Sequence, residues 1–185
     1  MNGHQRQKDE SRQRIEEALF ALIEEKDYIQ ITVSEIALRA DVARRTFYRL
    51  YENKDDVIHG YFERLCGEYR QSYPPLQRYD LEQIAGDYFS FWHRYREILL
   101  KLYRCGLGNL VCYEISRASF EVIKKRIGSE TLQKEKNLDY FIDYSVGGFI
   151  RLLSRWIESG MEETPEQYAR AVAGAIRKVE DCCPV

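Results

Sequence analysis

Between Arg44 and Arg49 the chain places three guanidinium groups (Arg44, Arg45, Arg49), a threonine hydroxyl (Thr46) and a phenol (Tyr48). Such a set can donate hydrogen bonds to phosphate oxygens and to base edges in a groove of duplex DNA. From Arg39 to Lys54, five cations (Arg39, Arg44, Arg45, Arg49, Lys54) face two acids, Asp41 and Glu52, a local charge of +3. Residues 1–60 together hold 10 cations and 12 acids, and the whole chain carries −2. The positive charge is therefore focused on one short stretch, where an anionic partner would be met.

Other chemistries are poorly supplied. No G-x-x-x-x-G-K-[ST], G-x-G-x-x-G, H-E-x-x-H or G-x-S-x-G run occurs, so catalysis, a cofactor or a metal site is not expected. His59 and His93 have no metal-ligand partner at helical spacing and read as surface or capping residues. The five cysteines (Cys66, Cys105, Cys112, Cys182, Cys183) are odd in number and lack C-x-x-C spacing, which predicts reduced thiols. Cys105 and Cys112, seven apart, suggest a redox pair, but Gly106 and Gly108 interrupt the helix they would share. Cys182 and Cys183 read as bystanders.

The elements that must position the arginines are helical. From Ser11, the residues Ile15, Leu19, Leu22 and Ile23 mark one face of an amphipathic helix. After a break at 27–31, Thr32 and Glu35 have the spacing of a capping box. The short helix that follows buries Ile36, Ala37 and Ala40 and stops at Asp41, a residue type that tolerates the left-handed conformation of a tight exit. A third helix, 43–51, turns Phe47 and either Leu50 or Tyr51 inward. Two short helices behind a longer one make a helix-turn-helix. A connector helix from Lys54 to about Ser72 ends before Pro74-Pro75, and Asp80 and Thr164-Pro165 mark later helix starts. No alternating strand pattern occurs, so the expected class is all-α with about nine helices: an N-terminal helix-turn-helix domain over 1–53 and a helical domain over 54–185. With 44% hydrophobic and 31% charged residues and no apolar run of membrane length, the chain is expected to be globular, cytoplasmic and without a membrane partner.

The run TVSEIALRADVARRTFYRLYENKDDV resembles the DNA-binding domain of TetR/AcrR-family transcriptional regulators, whose pattern reads roughly T-V-x-x-I-A-x-x-A-G-V-S-x-G-T-x-Y-x-H-F-x-x-K. Thr32, Val33, Ile36, Ala37, Ala40, Val42, Thr46, Tyr48, Tyr51 and Lys54 keep its spacing. Asp41 stands where the family favours Gly, Ala43 where Ser often caps, Arg45 where Gly is frequent and Leu50 where His is common. The resemblance implies a dimer on a pseudo-palindromic operator, commonly as a repressor released by a small inducer. It implies DNA contacts from Thr32, Arg44, Arg45, Thr46, Tyr48, Arg49 and Lys54, with Tyr48 and Lys54 on phosphates. The leading residues Arg6, Lys8, Arg12 and Arg14 can add backbone or minor-groove contacts, or serve as a plain solvated tail, since Asp9 and Glu10 interrupt them.

Residues 61–185 balance 18 cations with 18 acids and hold most of the aromatics. Rings with polar tips suit a cavity for a small hydrophobic or aromatic inducer, and equally a packed core. The candidate pocket residues are Tyr61, Leu65, Phe89, Trp92, Leu99, Tyr103, Tyr113, Ser116, Phe120, Phe141 and Tyr144. Leu138, Phe141, Ile142, Ser145, Phe149, Leu152, Leu153 and Trp156 form a wide apolar band interrupted by Gly147-Gly148, and the last helix adds Ala169, Val172, Ala173, Ile176 and Val179. Mid-helix glycine costs about 1 kcal/mol unless close helix approach compensates, so these two helices are the expected homodimer interface. The alternative is that the band is buried within one protomer. A rival reading of the whole is a helix-turn-helix scaffold whose body binds a second protein and no small molecule. A filled core would favour it.

Overall fold

The computed structural model describes residues 3–72, 80–127 and 137–182. The proline pair 74–75, the polar stretch 128–136 and Cys183 lie outside the described residues, as do the side chains of Val179 and Cys182. Among the described residues there are nine α-helices, one 3-10 turn (Tyr28–Gln30) and no strand. None of the helices is long and apolar enough to cross a membrane.

The head is built from α1 (Gly3–Glu25), α2 (Val33–Arg39) and α3 (Arg44–Leu50). Helix α1 starts eight positions before the predicted Ser11 because its first turns are laced by i,i+4 bonds, Gln5 to Asp9 at 3.0 Å and Arg6 to Glu10 at 2.9 Å. The basic leader is thus part of a helix rather than an arm. The capping box forms as predicted, with Glu35 N donating to Thr32 Oγ1 at 3.3 Å and Thr32 N donating to Glu35 Oε2 at 2.9 Å. Asp41 adopts φ 50°, the left-handed exit that the sequence pattern required. Ala43 caps α3 without a side-chain bond, so α3 is held chiefly by packing: Phe47 is fully buried and Tyr51 nearly so.

Helix α4 (Lys54–Ser72) joins the head to a body made of α5 (Leu81–His93), α6 (Arg96–Arg104), α7 (Gly108–Ile127), α8 (Leu138–Glu158) and α9 (Pro165–Cys182). Asp80 caps α5, accepting from Glu82 N and Gln83 N, and Thr164 with Gln167 caps α9 as the sequence predicts. α4 packs on α1 and α7, α7 on α8, and α5 on α9. One buried cluster runs from Ile15 in α1 through Val57, Ile58 and Phe62 in α4 to Trp92, Leu99 and Trp156 in the body. The head is also tied to α6: Lys101 Nζ lies 2.7 Å from Glu24 Oε1, and Cys105 Sγ donates to the Ile23 carbonyl at 3.5 Å. Glu16 of α1 is buried between Arg64 of α4 and the Tyr51 hydroxyl, and burial outweighs Arg64 to hold its pKa above the ordinary carboxylate value.

Candidate nucleic-acid interface

The arginines of α1 and α2 are ion-paired within the head. Arg6 pairs with Glu10, Arg12 with Asp9, Arg14 with Asp41, Arg39 with Glu25 and Lys26 with Glu35. Arg44, Arg45 and Arg49 on α3 are exposed and form no ion pair or hydrogen bond among the described residues. Thr46 is partly buried beside them. Tyr48 is 52% exposed and also packs edge-on against Phe47, ring centroids 5.7 Å apart, so it serves the core and the surface at once. These five residues form one face carrying three uncompensated charges, the electrostatic footprint of a groove-reading helix.

The other two predicted contact residues sit differently. The Thr32 hydroxyl is engaged in the capping box. Lys54 sends its ammonium to three carbonyls, Tyr28 O at 2.6 Å, Ile31 O at 3.0 Å and Ile29 O at 3.2 Å, and lies 4.5 Å from the centroid of the Tyr28 ring. It staples the start of α4 to the turn before α2, a role that sequence spacing alone could not reveal because carbonyl acceptors carry no residue signature. Lys54→Ala is therefore expected to cost about 2 kcal/mol of head stability, from lost charged hydrogen bonds, and to weaken binding of all DNA sequences alike. The slope of log K against log salt should stay unchanged, which a titration at several salt concentrations measures.

The capping box also gives the head an acid-sensitive element. Hydrogen bonds from Lys26 and Thr32 hold Glu35 at about 2, below its ordinary 4.5. A depressed carboxylate pKa contributes stability that is complete above the ordinary value and lost as pH falls from about 4.5 toward about 2. The stability advantage of the native chain over Glu35→Gln should therefore shrink across that window in acid melts.

The predicted pocket residues do not converge on one cavity. Leu65, Phe89, Trp92 and Leu99 are fully buried and fill the core, with Phe89 edge-on to Trp156 at 5.5 Å. Tyr113 and Tyr144 are exposed on the outer faces of α7 and α8, and Ser116 and Phe120 are half-buried on α7. Tyr61 lines an open outer groove beside α1 with Glu16, Tyr51 and Arg64. The Tyr103 hydroxyl binds Ser154 Oγ and Cys112 Sγ, each at 3.0 Å. Cys112 and Cys105 thus have separate partners, and the Cys66 thiol is buried and pushed up to about 12. His59 Nδ1 lies 2.8 Å from the buried Glu114 carboxylate, and His93 stacks on Trp156.

Phe141, alone of the predicted set, lines a narrow, partly open cavity of about 60 Å³ between α4, α5, α7 and α8. Tyr69, Tyr88, Ser119, Arg126, Ser145 and Phe149 also line it. The inward face of α7 runs through Val111, Ile115, Ser119, Val122 and Arg126, one step out of phase with the predicted Tyr113, Ser116 and Phe120. A buried arginine on that face inverted the polarity cue. The apolar band of α8 is divided: Ile142, Val146, Leu153 and Trp156 point into the core, while Phe141, Tyr144, Gly147 and Gly148 border an outer groove shared with Val172 and Ile176 of α9.

A helix-turn-helix head with an uncompensated basic helix, carried on a helical body, defines a DNA-binding regulator. Residues 15–60 match the family described as bacterial regulatory proteins, tetR family, and residues 79–178 match its transcriptional regulator C-terminal region. The chain belongs to the TetR family of transcriptional regulators, whose members bind DNA and dimerise. The HTH-type transcriptional regulator YxbF of Bacillus subtilis (strain 168) is 38% identical over 50 residues, 27% of this chain and 13% of that protein's length. Among solved structures, the dihydroxyacetone kinase operon activator DhaS superposes with a TM-score of 0.61 at 17% identity, covering 92% of this chain and 96% of that one. The fatty acid degradation regulator FadR from Bacillus halodurans superposes with a TM-score of 0.55 at 20% identity, covering 88% and 92%. At these identities the likeness concerns the fold.

Proposed function

We propose that the chain is a homodimeric repressor that reads a pseudo-palindromic operator with α3 and is released when a small molecule enters the body. Residues 1–53 form the reading head and 54–185 the effector and dimerisation unit. The observation that carries the DNA reading is the contrast within the head: every other arginine there is ion-paired, while Arg44, Arg45 and Arg49 are not. Arg44, Arg45, Thr46, Tyr48 and Arg49 touch DNA, and Thr32 and Lys54 hold the two ends of the reading unit in place. The proposed interface is the exposed face of α8 with α9. Its support is that a Cβ built on Gly147 or Gly148 would meet nothing within 4 Å in the same protomer, so the protomer itself gives no reason for glycine there.

Release follows from differential affinity: an effector that prefers a body with a different head separation draws the dimer away from the operator. A second reading is favoured by one observation, the small size of the cavity between α4, α5, α7 and α8 against the roughly 300–1,000 Å³ of ordinary ligand sites. In it the body binds a protein partner and no small molecule. Enrichment of binding sites from random duplex DNA by the purified chain tests the main proposal. A two-fold related motif with half-sites about one helical turn or slightly more apart is expected. No enriched sequence would overturn it.

A further inference from the structure

The cavity between α4, α5, α7 and α8 has an apolar wall, with Ile84, Ile123 and Phe149 among its residues, on which three hydrogen-bond donors converge. Tyr88 is 4% exposed, and its hydroxyl lies towards that of Ser119 without completing a hydrogen bond of good geometry. Burial pushes this phenol well above its ordinary pKa, so it keeps its proton and can donate. Ser119, also buried, lines the same wall. Arg126, 6% exposed, brings a guanidinium whose Nη2 is 2.8 Å from Asp87 Oδ2. Leaving a buried hydroxyl unpaired is costly, and a guanidinium's fork matches the two oxygens of a carboxylate.

We propose that this cavity takes a small organic carboxylate. Its oxygens accept from Tyr88 and Ser119, Arg126 balances its charge, and its hydrocarbon end lies among Ile84, Ile123 and Phe149. The assignment rests on the effector reading given above. Asp87 is a partly exposed residue of α5, so an incoming carboxylate can take its place on Arg126 while Asp87 turns to water. That exchange replaces a tie between α5 and α7 with a ligand-mediated one. The cavity holds about 60 Å³, on the order of two water molecules, so an occupant must move a wall. Phe141, Ser145 and Phe149 line both this cavity and the outer groove between α8 and α9, and that wall is where displacement reaches the proposed dimer face.

Calorimetric titration of the full chain with sodium hexanoate and with hexan-1-ol, at one ionic strength, tests this. Hexanoate should bind at least about tenfold more tightly than the alcohol. Tyr88→Phe should weaken hexanoate about tenfold, and Asp87→Asn should strengthen it, because one internal competitor for Arg126 is removed. A merely structural ion pair would make Asp87→Asn neutral or harmful to binding. Should Tyr88→Phe fail to fold, the Asp87→Asn comparison decides alone. Equal binding of acid and alcohol, no hexanoate binding up to about 10 mM, or no gain in Asp87→Asn overturns the proposal. Gel shifts separate the two readings. Operator release by a neutral compound where hexanoate has no effect overturns the carboxylate and leaves the effector reading standing. Hexanoate bound in the calorimeter without operator release keeps the carboxylate site and sinks the effector reading.

Discussion

Gly148→Leu is expected to turn the dimer into a monomer and to lower operator affinity by a factor of roughly 100 or more. Gly148 is exposed in the middle of α8, and nothing in its own protomer crowds an added Cβ. Within one protomer the substitution should be favourable, because leucine is a better helix former than glycine by nearly 1 kcal/mol. Two helices that cross at Gly147-Gly148 cannot accept the larger side chain without moving apart, which opens the Tyr144, Leu152 and Ile176 surface to water. Each recognition helix alone then keeps only its own half-site energy. Sedimentation velocity and gel shift together check this: a monomer with weakened operator binding is the signature. A chain that stays dimeric with unaltered operator affinity would remove the interface proposal.

Replacing Arg44, Arg45 and Arg49 together by alanine should abolish specific binding while leaving the fold intact. The three side chains are exposed and form no ion pair or hydrogen bond among the described residues, and α3 is anchored by the buried Phe47. A bidentate base contact is worth about 1–3 kcal/mol, and each phosphate contact adds about one unit to the salt slope. With two heads per operator, the triple variant should lose several orders of magnitude in affinity and flatten the slope by up to about six. Unaltered circular dichroism with affinity within threefold of the native chain would contradict the assignment of α3.

What was legible in the sequence was local. The capping boxes at Thr32 and Thr164, the stop at Asp41 and the inward Phe47 all follow from side chains acting on the backbone a few residues away, and they appear as expected. The cavity was not legible, because a lining residue and a core residue share the same hydrophobic period. The inward face of α7 lies one step from the face its apolar period suggests, since Ser119 and Arg126 are polar residues buried by long-range packing that no local pattern announces. The stapling role of Lys54 was hidden for a related reason: its partners are main-chain oxygens more than twenty positions away. In α1 the acids that seemed to spoil a basic arm are what make the leader helical, by pairing with Arg6 and Arg12.

The head meets the rest of the molecule along α4, where α1 packs and Glu16 meets Arg64, and again at α6 through Lys101 and Cys105. A head clamped along α4 and again at α6 moves with the body rather than apart from it, so under the proposal above a shift of α6 or α4 is carried to the reading helix as a lever carries a push at its short arm. Loosening the α6 clamp by Lys101→Ala would then blunt that transmission.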